Sequence, residues 1–163
     1  LKKNFYKYII CVLGNHDYGD YVPWASAEEK AANLNDLKGR QAKMGWQLLL
    51  NEHITIKRDD QELKLIGVEN WGKGGFKKSG DFQAATQGID PESFKILMSH
   101  DPSHWEHQIK DHPMKVHLTL SGHTHGMQFG VDIPGLIKWS PVQYRYPFWA
   151  GIYKRNNKFL NVN

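Results

Sequence analysis

Val116-His117-Leu118-Thr119-Leu120 runs straight into Ser121-Gly122-His123-Thr124-His125-Gly126. An apolar stretch followed by a glycine-flanked polar cluster reads as a buried strand that delivers two imidazoles at its carboxyl end. The same pattern recurs twice upstream. Tyr8-Ile9-Ile10-Cys11-Val12-Leu13 leads into Gly14-Asn15-His16-Asp17, and Phe94-Lys95-Ile96-Leu97-Met98 leads into Ser99-His100-Asp101-Pro102. In α/β sheets, ligand and catalytic groups gather at the carboxyl ends of strands. Three strands bringing Asn, Asp and His to one edge form the pattern of a metal site or a polar catalytic site.

The intervening sequence supplies a mixed set of elements. Ser26-Ala27-Glu28-Glu29 is a capping box, and composition predicts helix from Ala27 to about Leu50, divided at Gly39 and Gly45. Ile54–Arg58 and Glu62–Val68 flank Asp59-Asp60 and read as a hairpin. Asn70 to Gly80 is a glycine- and lysine-rich surface loop, whose Lys73, Lys77 and Lys78 are candidates to meet a phosphate. Short helices are expected at Phe82–Thr86 and Ser103–Ile109, and strand-like pieces at Gln128–Val131, Phe148–Tyr153 and Phe159–Val162. The fold class is therefore α/β, in one domain spanning residues 1–163.

The cluster His123-Thr124-His125 favours metal. Two residues apart in an extended turn, the imidazoles point to opposite sides and suit two adjacent cations better than one. Imidazole, carboxamide and carboxylate ligands without thiolate favour Mn, Fe or Zn. Two such ions, roughly 3.5–4 Å apart, clamp a phosphoryl group and generate a hydroxide nucleophile near neutral pH. His16, beside Asn15 and free to face a substrate, would protonate the leaving oxygen or stabilise charge on the phosphate, with Asp17 orienting its imidazole.

These three motifs, in this order and spacing, resemble those of the calcineurin-like metallophosphoesterases. The Leu-Ser-Gly-His-Thr-His-Gly-x-Gln run and the Trp/Tyr-rich tail look most like the bacterial, phosphodiesterase-like and often membrane-anchored branch. The resemblance implies a mixed β-sheet sandwich flanked by helices and a binuclear metal-dependent phosphoester hydrolase, a phosphodiesterase or phosphatase. It implies Asn15, His100 and His123 as ligands of one metal and His125 as a ligand of the other. His16 would be the catalytic histidine, paired with Asp17. The cofactors would be two divalent ions, with manganese among the candidates.

Two motifs of that family are absent. No Asp-x-His occurs anywhere, and Gly19-Asp20 and Gly80-Asp81 both follow Gly14-Asn15-His16. These motifs supply most ligands of the first metal and the aspartate that bridges both. The chain is therefore expected to be a C-terminal piece of a longer enzyme, lacking the first strands of the sandwich, holding a partial site and weakly active or inactive. A non-catalytic remnant or pseudoenzyme with a vestigial metal site is the competing reading. The missing strands would leave a sheet edge open to self-association.

Composition sets the outer bounds. With 163 residues, 40% hydrophobic and 23% charged, the chain is globular rather than disordered. Its longest apolar stretch, Tyr8–Leu13, is far shorter than the ~20 residues that span a bilayer, and the first residues lack the apolar core of a signal peptide. One cysteine, Cys11, excludes an internal disulfide framework. A net charge of +4 makes a nucleic-acid partner a poor expectation. The tail from Trp139 to Tyr153 interleaves aromatic with basic residues. It reads first as a packed strand face and second as a membrane-surface contact, which would make the full-length protein membrane-associated. His53, His104, His107, His112 and His117 have no partner pattern and read as structural or surface histidines.

Overall fold

The computed structural model describes residues 9–126 and 128–163. Tyr8, the expected start of the first strand, lies outside them. The architecture is mixed α/β, and its centre is a six-stranded mixed sheet flanked by helices. Its strands are β3 (Glu52–Arg58), β4 (Gln61–Gly67), β5 (Phe94–Met98), β6 (Leu118–Ser121), β9 (Gly151–Arg155) and β10 (Lys158–Val162), in the order β3-β4-β5-β6-β10-β9. The four central strands run parallel, and β3 and β9 close the two edges antiparallel. The β9–β10 hairpin turns at Asn156-Asn157, both left-handed at φ 49 and 57, the conformation that a two-residue turn of this hand requires.

Alternation along these strands sorts side chains onto two unlike faces. One face carries Ile66, Leu97, Leu160 and Val162, sealed by Phe82, Ala85, Ile89, Trp105, Ile109 and Val116. The covering elements are α2 (Phe82–Ala85) and α3 (Pro102–His104), which widens into a π-turn over Trp105–Ile109. Two lysines sit on this buried face. Lys95 donates to the carbonyls of Pro91 and Ser93, and Lys158 to those of Ile109 and His112, so each ammonium is satisfied by main chain. The opposite face is apolar too, yet open over much of its area: Phe94 is 48% exposed, Phe159 39% and Ile152 74%. With Leu118 and Leu120 these side chains line a groove of about 570 Å³.

A second, smaller sheet pairs β1 (Ile10–Cys11) with β2 (Gln47–Leu48) in parallel. It lies on the open face at the carboxyl end of β4, where Leu49 and Val12 come so close to Gly67 that a side chain there would overlap them. Between β1 and β2 runs α1 (Ala27–Lys43), capped by Ser26, whose oxygen accepts the Glu29 N–H. The expected break at Gly39 does not occur: the residue meets no neighbour, and a lone glycine costs a helix only ~1 kcal/mol. Gly45, at φ 77, ends the helix, and Gln47–Leu48 form a strand where composition had suggested helix. A further difference is the hairpin of β7 (Val131–Ile133) and β8 (Ile137–Trp139), where a single strand had been expected at Gln128–Val131.

Candidate metal and phosphoester site

Three chain segments converge at the carboxyl ends of β1, β5 and β6. The β5 and β6 loops are pinned to one another, Ser99 N–H donating to Leu120 and Gly122 N–H to the carbonyl of His100. Gly14 follows β1 with no side chain, and the His100 ring fills the space a Cβ would take, at 2.8–2.9 Å. The next residues, Asn15–Tyr18, form a 3-10 turn, and Asp17 closes it by accepting the Gly14 N–H at 2.7 Å.

The result is a triangle of three polar atoms. Asn15 Oδ1 lies 2.8 Å from His100 Nε2 and 3.0 Å from His123 Nδ1, and the two ring nitrogens are 3.2 Å apart. Asn15 is buried, and its amide donates through Nδ2 to the Tyr21 hydroxyl, which turns Oδ1 toward the histidines. Burial first, and then the neighbouring His123, push the His100 imidazole down to about 4; burial also lowers His123. Both rings are thus neutral at pH 7 and hold a lone pair for a ligand.

The donor set fits a divalent cation. Ligand bonds of about 2.1 Å at right angles put neighbouring donor atoms about 3.0 Å apart, which is the mean edge of this triangle. Among the described residues, no group of three or more His, Cys, Asp or Glu is arranged to hold a metal. The trio reaches three donors only because a carboxamide is one of them.

The other expected site residues lie around this centre. His123 and His125 are both left-handed, at φ 70 and 51, an uncommon backbone for residues with a side chain. Between them Thr124 is pinned by its hydroxyl donating to the Trp149 carbonyl at 2.6 Å. His123 therefore turns into the trio, while His125 is exposed with Nδ1 2.7 Å from Gln128 Oε1. The structure does not join His125 to the three. His16 is exposed and stacks on Tyr21, ring centroids 4.3 Å apart, and Asp17 is engaged with Gly14 N–H. Of the loop lysines, Lys77 and Lys78 lie over the rings of Tyr18 and Trp71.

Several neighbours of the trio escaped sequence reading. Tyr146 places its hydroxyl 2.9 Å from His123 Nε2, and Asp101 Oδ2 is 3.3 Å from the same nitrogen. Phe76 meets the His123 ring edge-on at 5.0 Å, and the Arg145 guanidinium lies 6.0 Å from Phe76 and 5.8 Å from Tyr146. Tyr146 was one aromatic among many in the tail, with nothing local to single it out. Asp101 carried a signal, its place directly after His100, but an aspartate before proline also reads as a helix cap. Part of the aromatic tail follows the packing expectation: Trp149 is buried, and Phe148 and Tyr153 pack on the core, whereas Tyr144 is 81% exposed.

No family model matches the chain, and no solved structure does. It is similar to curated proteins. An uncharacterized metallophosphoesterase of Bacillus subtilis, YkuE, is 24% identical over 155 residues, 94% of this chain and 47% of that protein. A bovine transmembrane protein with a metallophosphoesterase domain is 26% identical across 88% of this chain and 30% of its own length. An uncharacterized metallophosphoesterase of Aquifex aeolicus is 33% identical across 71% of this chain and 38% of its own. The chain thus spans less than half the length of each of these relatives. Three strand-end motifs brought together by the fold, and relatives of one description along most of its length, place this chain in the calcineurin-like metallophosphoesterase family.

Proposed function

We propose that this chain carries part of the catalytic centre of a divalent-metal-dependent phosphoester hydrolase, with Asn15, His100 and His123 holding one cation between them. The triangle of 2.8, 3.0 and 3.2 Å edges carries this reading. Each ring nitrogen can carry a proton or offer a lone pair at this point, and a divalent cation in place of those protons would be held by all three atoms. A bound cation supplies Lewis-acid polarisation of a phosphoryl oxygen and lowers the pKa of water.

The residues of this chain then have distinct parts. His16, exposed beside Asn15 and steadied by Tyr21, gives its proton to the departing oxygen. His125, exposed and outside the trio, would serve a second cation. Arg145, 5.8 Å from the ring of Tyr146 that meets His123, supplies positive charge beside the trio, where a phosphodiester would approach.

A second reading has an observation in its favour. The trio offers three donor atoms to a single cation and His125 is not joined to it, which suits a binding module with a one-metal site. The experiment is a calorimetric Mn²⁺ titration of the chain beside His123→Ala, followed by hydrolysis of bis(4-nitrophenyl) phosphate. Binding that vanishes in the variant supports the site, and absence of binding in both refutes it. Hydrolysis with binding favours the enzyme, and binding without hydrolysis favours the module.

A further inference from the structure

The Asp101 carboxylate is fully buried and has two different oxygens to satisfy. Oδ1 accepts the Ser103 N–H at 2.8 Å and caps α3. Among the described residues Oδ2 has no hydrogen-bond partner, and it lies 3.3 Å from His123 Nε2. The neighbourhood is built around this oxygen. A Cβ on Gly72 would lie 3.1 Å from it and 2.6 Å from Phe76 Cβ, so only glycine leaves the space. The Lys73 N–H donates to Ser103 Oγ at 3.1 Å, tying this loop to the same turn.

A neutral imidazole carries one proton, and which nitrogen holds it decides what the ring can do. In His123, Nδ1 faces Asn15 and His100, while Nε2 faces Asp101 and Tyr146. Tyr146 alone would leave both tautomers open, because its hydroxyl can accept from Nε2–H or donate to a bare Nε2. A carboxylate can only accept. The fully buried Asp101 Oδ2, unpaired among the described residues and 3.3 Å from Nε2, therefore breaks the tie in favour of the proton on that nitrogen.

We infer that Asp101 is a positioning residue: it holds the His123 proton on Nε2 and so keeps the Nδ1 lone pair free for a cation. The inference rests on the metal reading above for its purpose, though the tautomer itself does not depend on that reading. Tyr146 becomes the hydroxyl acceptor beside the same N–H, and the chain from Ser103 through Asp101 to His123 fixes ring and proton together.

Asp101→Asn tests this with almost no change of shape. The Ser103 N–H still demands an acceptor, so the amide oxygen takes the Oδ1 place and the NH₂ faces His123. Nε2 must then accept, and the proton moves to Nδ1. The readout is the imidazole ¹⁵N shifts of the metal-free chain at pH 7.5, with Mn²⁺ affinity measured alongside. The expected result is Nε2–H in the parent and in Tyr146→Phe, Nδ1–H in Asp101→Asn, and a roughly 10–100-fold loss of Mn²⁺ affinity in that variant. Nδ1–H in the parent, or an unchanged Nε2–H in Asp101→Asn, overturns the assignment whatever the metal data show. A parent with Nε2–H that binds no Mn²⁺ overturns the metal reading and leaves the Asp101 assignment standing.

Discussion

Replacing Gly14 with alanine tests the site by a route that touches no ligand. The backbone there is extended, at φ −103 and ψ 177, so alanine adopts it without strain. What the methyl meets is the His100 ring, three of whose atoms would lie 2.8–2.9 Å from it. Ordinary contact between such atoms is about 3.5–4.0 Å, so ring and loop must part by about 0.7–1 Å. Donor atoms of a metal site tolerate displacement of only about 0.2 Å. His100 would therefore leave the triangle it forms with Asn15 and His123.

Two consequences have different sizes. Overpacking of this kind costs about 1–3 kcal/mol, and in a chain of this length each kcal/mol lowers Tm by about 2–4 °C. Removing even an outer partner of a ligand weakens metal binding about 10–100-fold, so displacing a ligand should cost at least that. The assay is paired: thermal denaturation of the metal-free chain and calorimetric Mn²⁺ titration at a temperature where the variant is folded. Gly14→Ala that is folded and binds Mn²⁺ as tightly as the parent would show that His100 is not held where cation binding needs it. Asn15 and His123 would then bind a cation without it.

Two further predictions concern the scaffold. Leu97→Ala, on the sealed face of the central sheet, should cost about 2–5 kcal/mol in urea denaturation, while Leu120→Ala, 38% exposed on the open face, should cost clearly less; equal losses would reverse the assignment of the core. His104, buried between Ser99 and Gln108, is pushed by burial from 6.5 to about 4, so below pH 6.5 the unfolded chain takes up a proton that the folded one refuses. Stability from this group is complete above that pH and falls as pH drops toward 4, by about 2 kcal/mol at pH 5. His104→Gln should flatten the fall between pH 7.5 and 5, leaving the share due to His100, and an unchanged slope would refute it.

The strand ends were readable because each writes its own signal: an apolar run, then a polar cluster. β5 spans Phe94–Met98 as its sequence predicts, and Asn15, His100 and His123 meet as the three clusters suggested. What stayed hidden is set by contacts between distant residues. Gln47–Leu48 sits in a leucine-rich stretch that favours helix, and it becomes a strand because β1 offers it a ladder whose partners, Ile10 with Gln47 and Cys11 with Leu48, lie far apart in sequence. Tyr146 reaches His123 from a tail whose local pattern says only that aromatic residues pack. Asp101 was legible as a cap and is one, but its second oxygen has a role that only the folded neighbourhood reveals.

The trio also spans the joint between the two sheets, and this gives it a structural consequence. His100 and His123 stand in the loops just past the carboxyl ends of adjacent strands of the six-stranded sheet, cross-linked by main-chain hydrogen bonds. Asn15 belongs to the smaller unit, whose β1–β2 ladder is two residues long and whose 17-residue helix α1 buries no residue completely. That unit is tied to the main sheet by Leu49 and Val12 on Gly67, and by Tyr18, whose hydroxyl donates to Glu69 and accepts from Asn70 N–H. A cation held by all three residues would add a further tie at the weaker side. Its binding free energy would appear partly as free energy of docking the β1–β2 unit, since a ligand that binds only the assembled state stabilises that state by mass action. The site is therefore better understood as a clasp between two sheets than as a pocket within one, and the two-histidine half is the part the scaffold prepares in advance.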